Sequence, residues 1–261
     1  MKELSIDEVH DVLLNIAKEL DKVCKKHNIP YYMLGGTMLG AIRHKGFIPW
    51  DDDMDFGVPR EYYKKLYDIL NKELPKQYKC CSFENSSYVF YPYYKIEDRT
   101  TRLDSAQLSG RIEDKIGINI DIFPLDSCNK GDNDISKVIK LNDIYGRIYT
   151  QSARKSYRKN LAKSLIRLLM PISQKHFYSI IERKISEIKP GNCWANLYGN
   201  YEEKEIMPKE WYCSGKYYRF ENINLRGIEN FESYLTHLYG DYMKLPPEEK
   251  RRRHGENAYK V

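Results

Sequence analysis

The sequence predicts an α/β (α+β) protein, with a mixed sheet and helices first and a mostly helical second half. Strand-like runs alternate with helical periodicity as far as residue 128, and helical patterns dominate beyond residue 133. No internal repeat or low-complexity linker interrupts the 261 residues, whose 41% hydrophobic content can fill a substantial core. The expected division is a core over residues 1–128 and a mostly helical region over residues 129–261 that completes the site on the acceptor side.

The elements follow in order. Ser5 and Glu8 have the spacing of a capping box, with Leu4 and Val9 as its hydrophobic staple. Val9, Leu13, Ala17, Leu20 and Cys24 continue at helical spacing, and Asn28 and Pro30 stop that helix near His27. "YYML" is a short strand running into Gly35 and Gly36, and "TMLGAIRHK" is a helix ended by Gly46. "DMDFGV" is a second strand leading to Pro59, whose fixed φ suits the first turn of the helix "REYYKKLYDILNKEL". "YKCCSF", the polar turn "ENSS", "YVFYPYYKIE" and "KIGINIDIFPL" then describe further strands.

Composition narrows the function classes. The net charge is +6, yet eight basic residues and no acidic one lie between Ile144 and Ile181, so the rest of the chain is slightly negative. The most apolar run, "LIRLLMPI", contains Arg167 and is far shorter than the roughly 18 residues of a spanning helix. The start "MKELSIDEVHDVL" lacks a basic and apolar secretory leader, which predicts a cytoplasmic protein. Cys24, Cys80, Cys81, Cys128, Cys193 and Cys213 show no CxxC pair, which favours reduced thiols over disulfides or structural zinc. In the basic segment 144–181, Leu161, Leu165, Leu168 and Leu169 form an apolar stripe beneath Lys163 and Arg167. Two readings fit it, a helix lying on a membrane surface and a helix packed on the core with a solvated basic face.

The chemistry gathers around "YMLGGTMLGAIRHKGFIPWDDDMDFGV", where four aspartates occupy five positions beyond a glycine doublet. Alternation in a strand puts Asp53 and Asp55 on one face. In "GINIDIF" the same rule buries Ile118, Ile120 and Ile122 and leaves Asn119, Asp121 and Phe123 opposite. If the two strands are neighbours, three carboxylates meet, and each pair repels by roughly 4 kcal/mol at about 4 Å and an effective dielectric near 20. Such a cluster calls for a cation, and hard oxygen ligands favour Mg2+ or Mn2+, ions that also bind substrate phosphates. Gly35 and Gly36 let the backbone approach a phosphate, and Thr37 opens a helix whose N–H groups attract anions. Arg43, His44 and Lys45 stand downstream as charge partners for a departing phosphate. The stretch therefore describes half of a phosphoryl-transfer site.

Other patterns fit less well. A calcium-binding loop fails because Phe56 and Tyr62 take its sixth and twelfth positions. "DFG" at 55–57 has no HRD-type loop beside it. A metal-dependent DxD glycosyltransferase using a nucleotide-sugar is the alternative enzyme, but it accounts for neither the glycine doublet nor Asp121. A nucleic-acid binder using the basic segment conflicts with the acidic cluster. Tyr88, Tyr91, Tyr93 and Tyr94 could stack a base or cage a quaternary ammonium, although strand aromatics more often pack the sheet. Trp50 is either a wall of the site or a buried anchor.

With these residues in hand, the sequence resembles the LicD family, whose relatives include the fukutin-type proteins on a nucleotidyltransferase-like fold. The matching stretches are "LGGTMLGAIRHKGFIPWDDDMDFGV", "YYKIEDRTT", "INIDIFPLD" and "YGDYMKLPPEEKRRRH". The resemblance implies transfer of a substituted phosphate, phosphocholine or a polyol phosphate, from a CDP-linked donor to a hydroxyl of a cell-surface glycan, with release of CMP. It implies metal ligation and catalysis by Asp53, Asp55 and Asp121, and donor contacts around Gly36, Thr37 and Arg43. Asp51 and Asp52 either touch the metal or hold Arg43 or His44 in place. The family pattern adds Lys95, Thr100, Arg251 and His254 as contacts to donor or acceptor. Lipid-linked acceptors would favour peripheral contact at the inner membrane face through residues 144–181.

Overall fold

Both halves of the Ser5–Glu8 box form, Glu8 N donating to Ser5 Oγ at 3.2 Å and Ser5 N to Glu8 Oε2 at 2.9 Å. They start helix α1 (Ile6–Lys26), whose Val9, Leu13, Ile16, Ala17, Leu20, Val23 and Cys24 face the core. In this computed structural model the described residues are 1–82, 85, 92–104, 116–149, 165, 173–251, 253 and 257–261.

The central sheet contains β2 (Tyr32–Met33), β3 (Asp55–Pro59), β7 (Asn119–Cys128), β5 (Tyr94–Asp98) and β4 (Tyr78–Cys81), in that spatial order. Only the β3–β7 pairing along this path is parallel. Helix α2 (Gly35–Arg43) joins β2 to the loop before β3, and α3 (Arg60–Glu73) follows β3 directly. Tyr63 of α3 fastens helix to sheet, its hydroxyl donating to Ile122 O at 2.7 Å and accepting from Tyr94 N at 2.8 Å. Strand β6 (Thr101–Asp104) pairs with the carboxyl-terminal β12 (Asn257–Lys260), which also pairs with β1 (Lys2–Glu3).

Beyond β7, α4 (Asn133–Tyr149) and α5 (Gln174–Ser186) pack together through Ile135, Val138, Tyr145, Phe177 and Ile181. The second half also holds β8 (Cys193–Ala195), β9 (Ile206–Pro208), α6 (Lys209–Tyr212), the hairpin β10 (Lys216–Phe220) with β11 (Ile223–Gly227), and α7 (Phe231–Tyr239). It is thus richer in helix than in strand among the described residues, but its short strands extend the sheet and close the chain ends. One apolar core takes residues from both sides of position 128, with Phe220, Leu225, Tyr234 and Leu235 beside Leu13, Met33, Phe56 and Ile122.

Several boundaries differ from the expectation. Strand β3 begins at Asp55 and not at Asp53, because Met54 gives its carbonyl to Asp121 N (2.9 Å) only at the edge of the pairing. Helix α2 starts at Gly35, two residues early, because Gly35 takes a left-handed φ of +47° that turns the chain out of β2. Pro59 closes β3 and sits just before α3 instead of within its first turn. Ile118, Ile120 and Ile122 are buried as expected, and Phe123 on the other face is buried too. All six cysteines are unpaired. No helix among the described residues is long and apolar enough to cross a membrane. Tyr88, Tyr91 and most of 144–181 lie outside the described residues.

Candidate active site

Three adjacent strands place three charged side chains in one row. Asp55 on β3 is the register partner of Asp121 on β7, and Asp121 is the partner of Lys95 on β5. Paired residues project to the same face, so the row is fixed by backbone register and not by side-chain reach. Lys95 Nζ forms an ion pair with Asp121 Oδ1 and donates to Asn119 Oδ1 at 3.1 Å. Behind the row, Phe56, Ile120 and Ile122 are fully buried and seal it from beneath.

The acidic loop and the glycine doublet converge on this row. A Cβ at Gly36 would stand 2.7 Å from Asp51 Oδ2, and one at Gly35 would stand 3.6 Å from both Asp55 Oδ2 and Tyr239 Oη. A side chain at Gly36 would have to move the Asp51 carboxylate aside. Thr37 is buried and accepts from Asp55 N at 2.8 Å, tying α2 to the first residue of β3. Its hydroxyl thus positions Asp55, a role the sequence reading did not give it. Burial raises the Asp55 carboxyl well above the usual carboxylate range, and the charges of Asp53, Asp121 and Asp51 add to this while Lys95 opposes it.

Arg43 lies at the end of α2 with Nη1 donating to Tyr242 O at 2.8 Å, so it holds the segment after α7. Burial lowers the pKa of Arg43 and, aided by the Arg43 charge, that of His44. His44 meets Trp50 edge-on at 6.4 Å, and the Arg251 guanidinium lies 5.5 Å from the centre of the Trp50 ring. Trp50, partly buried against the core, therefore links these two expected contacts at the rim of the loop. Thr100 is not brought to the row. It sits in the turn after β5, where its N–H and Oγ bond Asp98 Oδ1 at 2.8 and 2.7 Å, and it receives Lys260 Nζ at 2.8 Å. His254 lies outside the described residues. Tyr94 packs as a sheet residue, stacked on Tyr63 at 4.2 Å, whereas Tyr93, just before β5, packs on Phe123 at 4.3 Å with its ring 5.3 Å from Lys95 Nζ.

Two residues of α7 escaped the sequence reading. Tyr234 Oη accepts from Gly35 N at 2.9 Å, and Tyr239 Oη stands over the same glycine. Tyr239 opens the stretch "YGDYMKLPPEEKRRRH", which assigns it no role, and nothing local marks Tyr234, since some 200 residues of chain separate both from the turn they serve.

Among the described residues, no three His, Cys, Asp or Glu side chains form a ready-made metal cage. The donor set nevertheless suits Mg2+ or Mn2+, which take one or two carboxylates and complete their shell with water and substrate phosphate. Asp55 and Asp121 supply such a pair at facing register positions, with Asp55 enclosed by the fold.

Comparison with known proteins fits this geometry. A family description, "LicD/FKTN/FKRP, nucleotidyltransferase domain", matches residues 28–164, a span that holds α2, the acidic loop, Lys95 and Asp121. The lipopolysaccharide cholinephosphotransferase LicD of Haemophilus influenzae is 31% identical over 269 residues, covering 97% of each chain. An uncharacterised protein of Rickettsia prowazekii is 43% identical over 58 residues, or 22% of each chain. Among solved structures, an antigenic nucleotidyltransferase-like protein from Paracoccidioides brasiliensis covers 71% of this chain and 90% of its own at 14% identity, with a TM-score of 0.27. That last likeness is too loose to carry an argument, but the full-length match and the family span are not. The chain belongs to the LicD family of phosphotransferases.

Proposed function

We propose that the protein transfers a substituted phosphate, phosphocholine or a polyol phosphate, from a CDP-linked donor to a hydroxyl of a surface glycan, releasing CMP. The observation that carries this reading is the Lys95–Asp121–Asp55 row beside the start of α2. The relative from Haemophilus influenzae, named for lipopolysaccharide and cholinephosphate, supports the donor group and the glycan acceptor. On this reading the acceptor is lipid-linked and the enzyme works at the cytoplasmic face of its membrane.

Asp53, Asp55 and Asp121 would hold Mg2+ or Mn2+, which supplies charge neutralisation at the donor's pyrophosphate. The first-turn N–H groups of Gly36 and Thr37, which a helix cannot satisfy internally, face the donor's phosphate oxygens. The acceptor oxygen bonds to the β-phosphorus, the bond from that phosphorus to the bridging oxygen breaks, and CMP departs with the bridging oxygen. Asp121 takes the acceptor's proton, and the Lys95 ammonium beside it aims its carboxylate. Arg43, through Tyr242, shapes the wall around the leaving nucleotide.

The test is a donor panel. CDP-choline, CDP-ethanolamine, CDP-glycerol, CDP-ribitol and UDP-sugars are offered with Mg2+, and released CMP or UDP is measured. CMP from one CDP donor is the expected result; UDP alone would establish the glycosyltransferase alternative.

A further inference from the structure

We infer that His10 is a positioning residue for the acidic loop, holding Asp51 by its main chain and so setting Asp51 and Asp53 against α2 and Asp55. The consequence for metal binding rests on the function proposed above; the hold on the loop does not. His10 Nε2 lies 2.7 Å from the Asp51 carbonyl oxygen. That oxygen can only accept, so Nε2 carries a proton in this contact, whether the ring is neutral or charged.

Two further contacts make the imidazole a fixed point. Its ring lies flat on Phe47, with centroids 4.0 Å apart and planes within 2°, and Phe47 meets Phe220 edge-on at 4.9 Å. Phe47 N donates to Glu221 Oε1 at 3.0 Å, and Glu221 N donates to Lys45 O at 2.7 Å. The stack sets the plane of the ring and the hydrogen bond sets its rotation, while helix α1, anchored in the core, carries both.

What is held lies between two site elements. The segment from the end of α2 to the start of β3 has no helix or strand of its own, apart from a turn closed by Asp51 N donating to Ile48 O at 2.9 Å. Yet it must deliver the Asp51 carboxylate to within contact of Gly36. Its ends are tied, at Lys45 O and Phe47 N by Glu221 and at Met54 O by Asp121 N, but residues 48–53 between them take part in no strand pairing, and shifts of about 1 Å there suffice to spoil a site. His10 touches neither donor nor acceptor in this arrangement; it acts through Asp51.

The test uses two full-length variants. His10→Phe keeps a flat ring for the stack and loses the donor, whereas His10→Gln keeps an N–H near the Nε2 position and loses the ring. Metal-free protein is digested under native conditions with a protease that cleaves before aspartate, following the bonds preceding Asp51, Asp52 and Asp53. His10→Phe is expected to be cut there about tenfold faster than wild type with a melting temperature lowered by only a few degrees, and His10→Gln to stay within about threefold of wild type, the factor of ten being one lost hydrogen bond. Mn2+ affinity, followed by the spin-resonance signal of the free ion, should fall about tenfold in His10→Phe and recover in His10→Gln. Cleavage of His10→Phe at the wild-type rate overturns the inference. Wild-type protein that binds no Mn2+ refutes the metal reading instead, and the digestion still decides the role of His10.

Discussion

Asp55 and Asp121 stand opposite each other across parallel strands β3 and β7, and Lys95 faces Asp121 from the other side, so two carboxylates share one neighbouring ammonium. Burial and the neighbouring carboxylates crowd negative charge at Asp55, and the proposed divalent cation, or a proton, would relieve it. The folded state raises the Asp55 carboxyl above its unfolded value, so the protein without metal loses stability as pH rises through the window between them.

Replacing Asp55 with Asn should therefore separate function from stability. Transfer is expected to fall by at least about a hundredfold, as for removal of one charge-stabilising group. The melting temperature of the metal-free variant at neutral pH should rise, by about 2–4 °C for each kcal/mol of relieved crowding in a chain of this size. CMP release and thermal unfolding on the same preparation check both, and a variant that is inactive because it is less stable would count against the crowded site.

Lys95→Met removes the cation that pairs with Asp121 in the row. Breaking a largely buried pair from one side leaves an uncompensated carboxylate, and the expected loss is about 3 kcal/mol in metal-free protein. Mg2+ should restore more stability to this variant than to wild type, because it substitutes for the missing charge. Urea denaturation with and without Mg2+ gives the comparison; equal metal responses would show that Lys95 does not neutralise the site.

Much of this site was legible because its signals are local. The glycine doublet, the four aspartates and the alternation of "GINIDIF" each announce a turn or a face within a few residues, and the capping box of α1 does the same. What could not be read is what the fold brings from far away. Thr37 spends its hydroxyl on Asp55 N, Tyr234 takes the Gly35 N–H, and His10 holds Asp51 O, all through contacts whose partners are set by packing. Thr100 shows the converse, since a residue close in sequence to Lys95 is carried to the far end of β5, about 3.3 Å further per residue, and bonds there within a turn. The strands of the second half are three to five residues long and lack a clear alternation, so helical periodicity around them dominates the sequence pattern.

Arg43→Lys tests whether the guanidinium fork is needed. Arg43 Nη1 reaches Tyr242 O at 2.8 Å and Lys244 O at 3.4 Å while Nε reaches His44 Nδ1 at 3.4 Å, and a lysine ammonium presents a single point in place of those two nitrogens. Global stability should drop by only about 1 kcal/mol. Residues 240–251 should become several-fold more sensitive to trypsin, with a raised KM for the donor. Mapping of the first cleavage sites by mass spectrometry checks it, and initial cleavage elsewhere would disconnect Arg43 from that segment.

Glu205 offers a pH signature away from the acidic row. It accepts from Tyr201 N at 3.0 Å in a largely enclosed position, and burial pushes its carboxyl from an ordinary 4.5 up to about 7. Between those two values the unfolded chain has released the proton while the folded chain still holds it, so stability from this group is complete below about 4.5 and is lost as pH rises to about 7. The loss should be about 2 kcal/mol, below the full linkage value because the side chain keeps some contact with water. Glu205→Gln preserves the carbonyl acceptor for Tyr201 N and cannot ionise. Urea denaturation of both proteins from pH 4.5 to 8 should therefore show their difference in stability growing with pH and levelling off above 7. A difference that stays constant over that range would mean that Glu205 titrates as an ordinary carboxylate and that its enclosure does not hold the proton against the Tyr201 N–H.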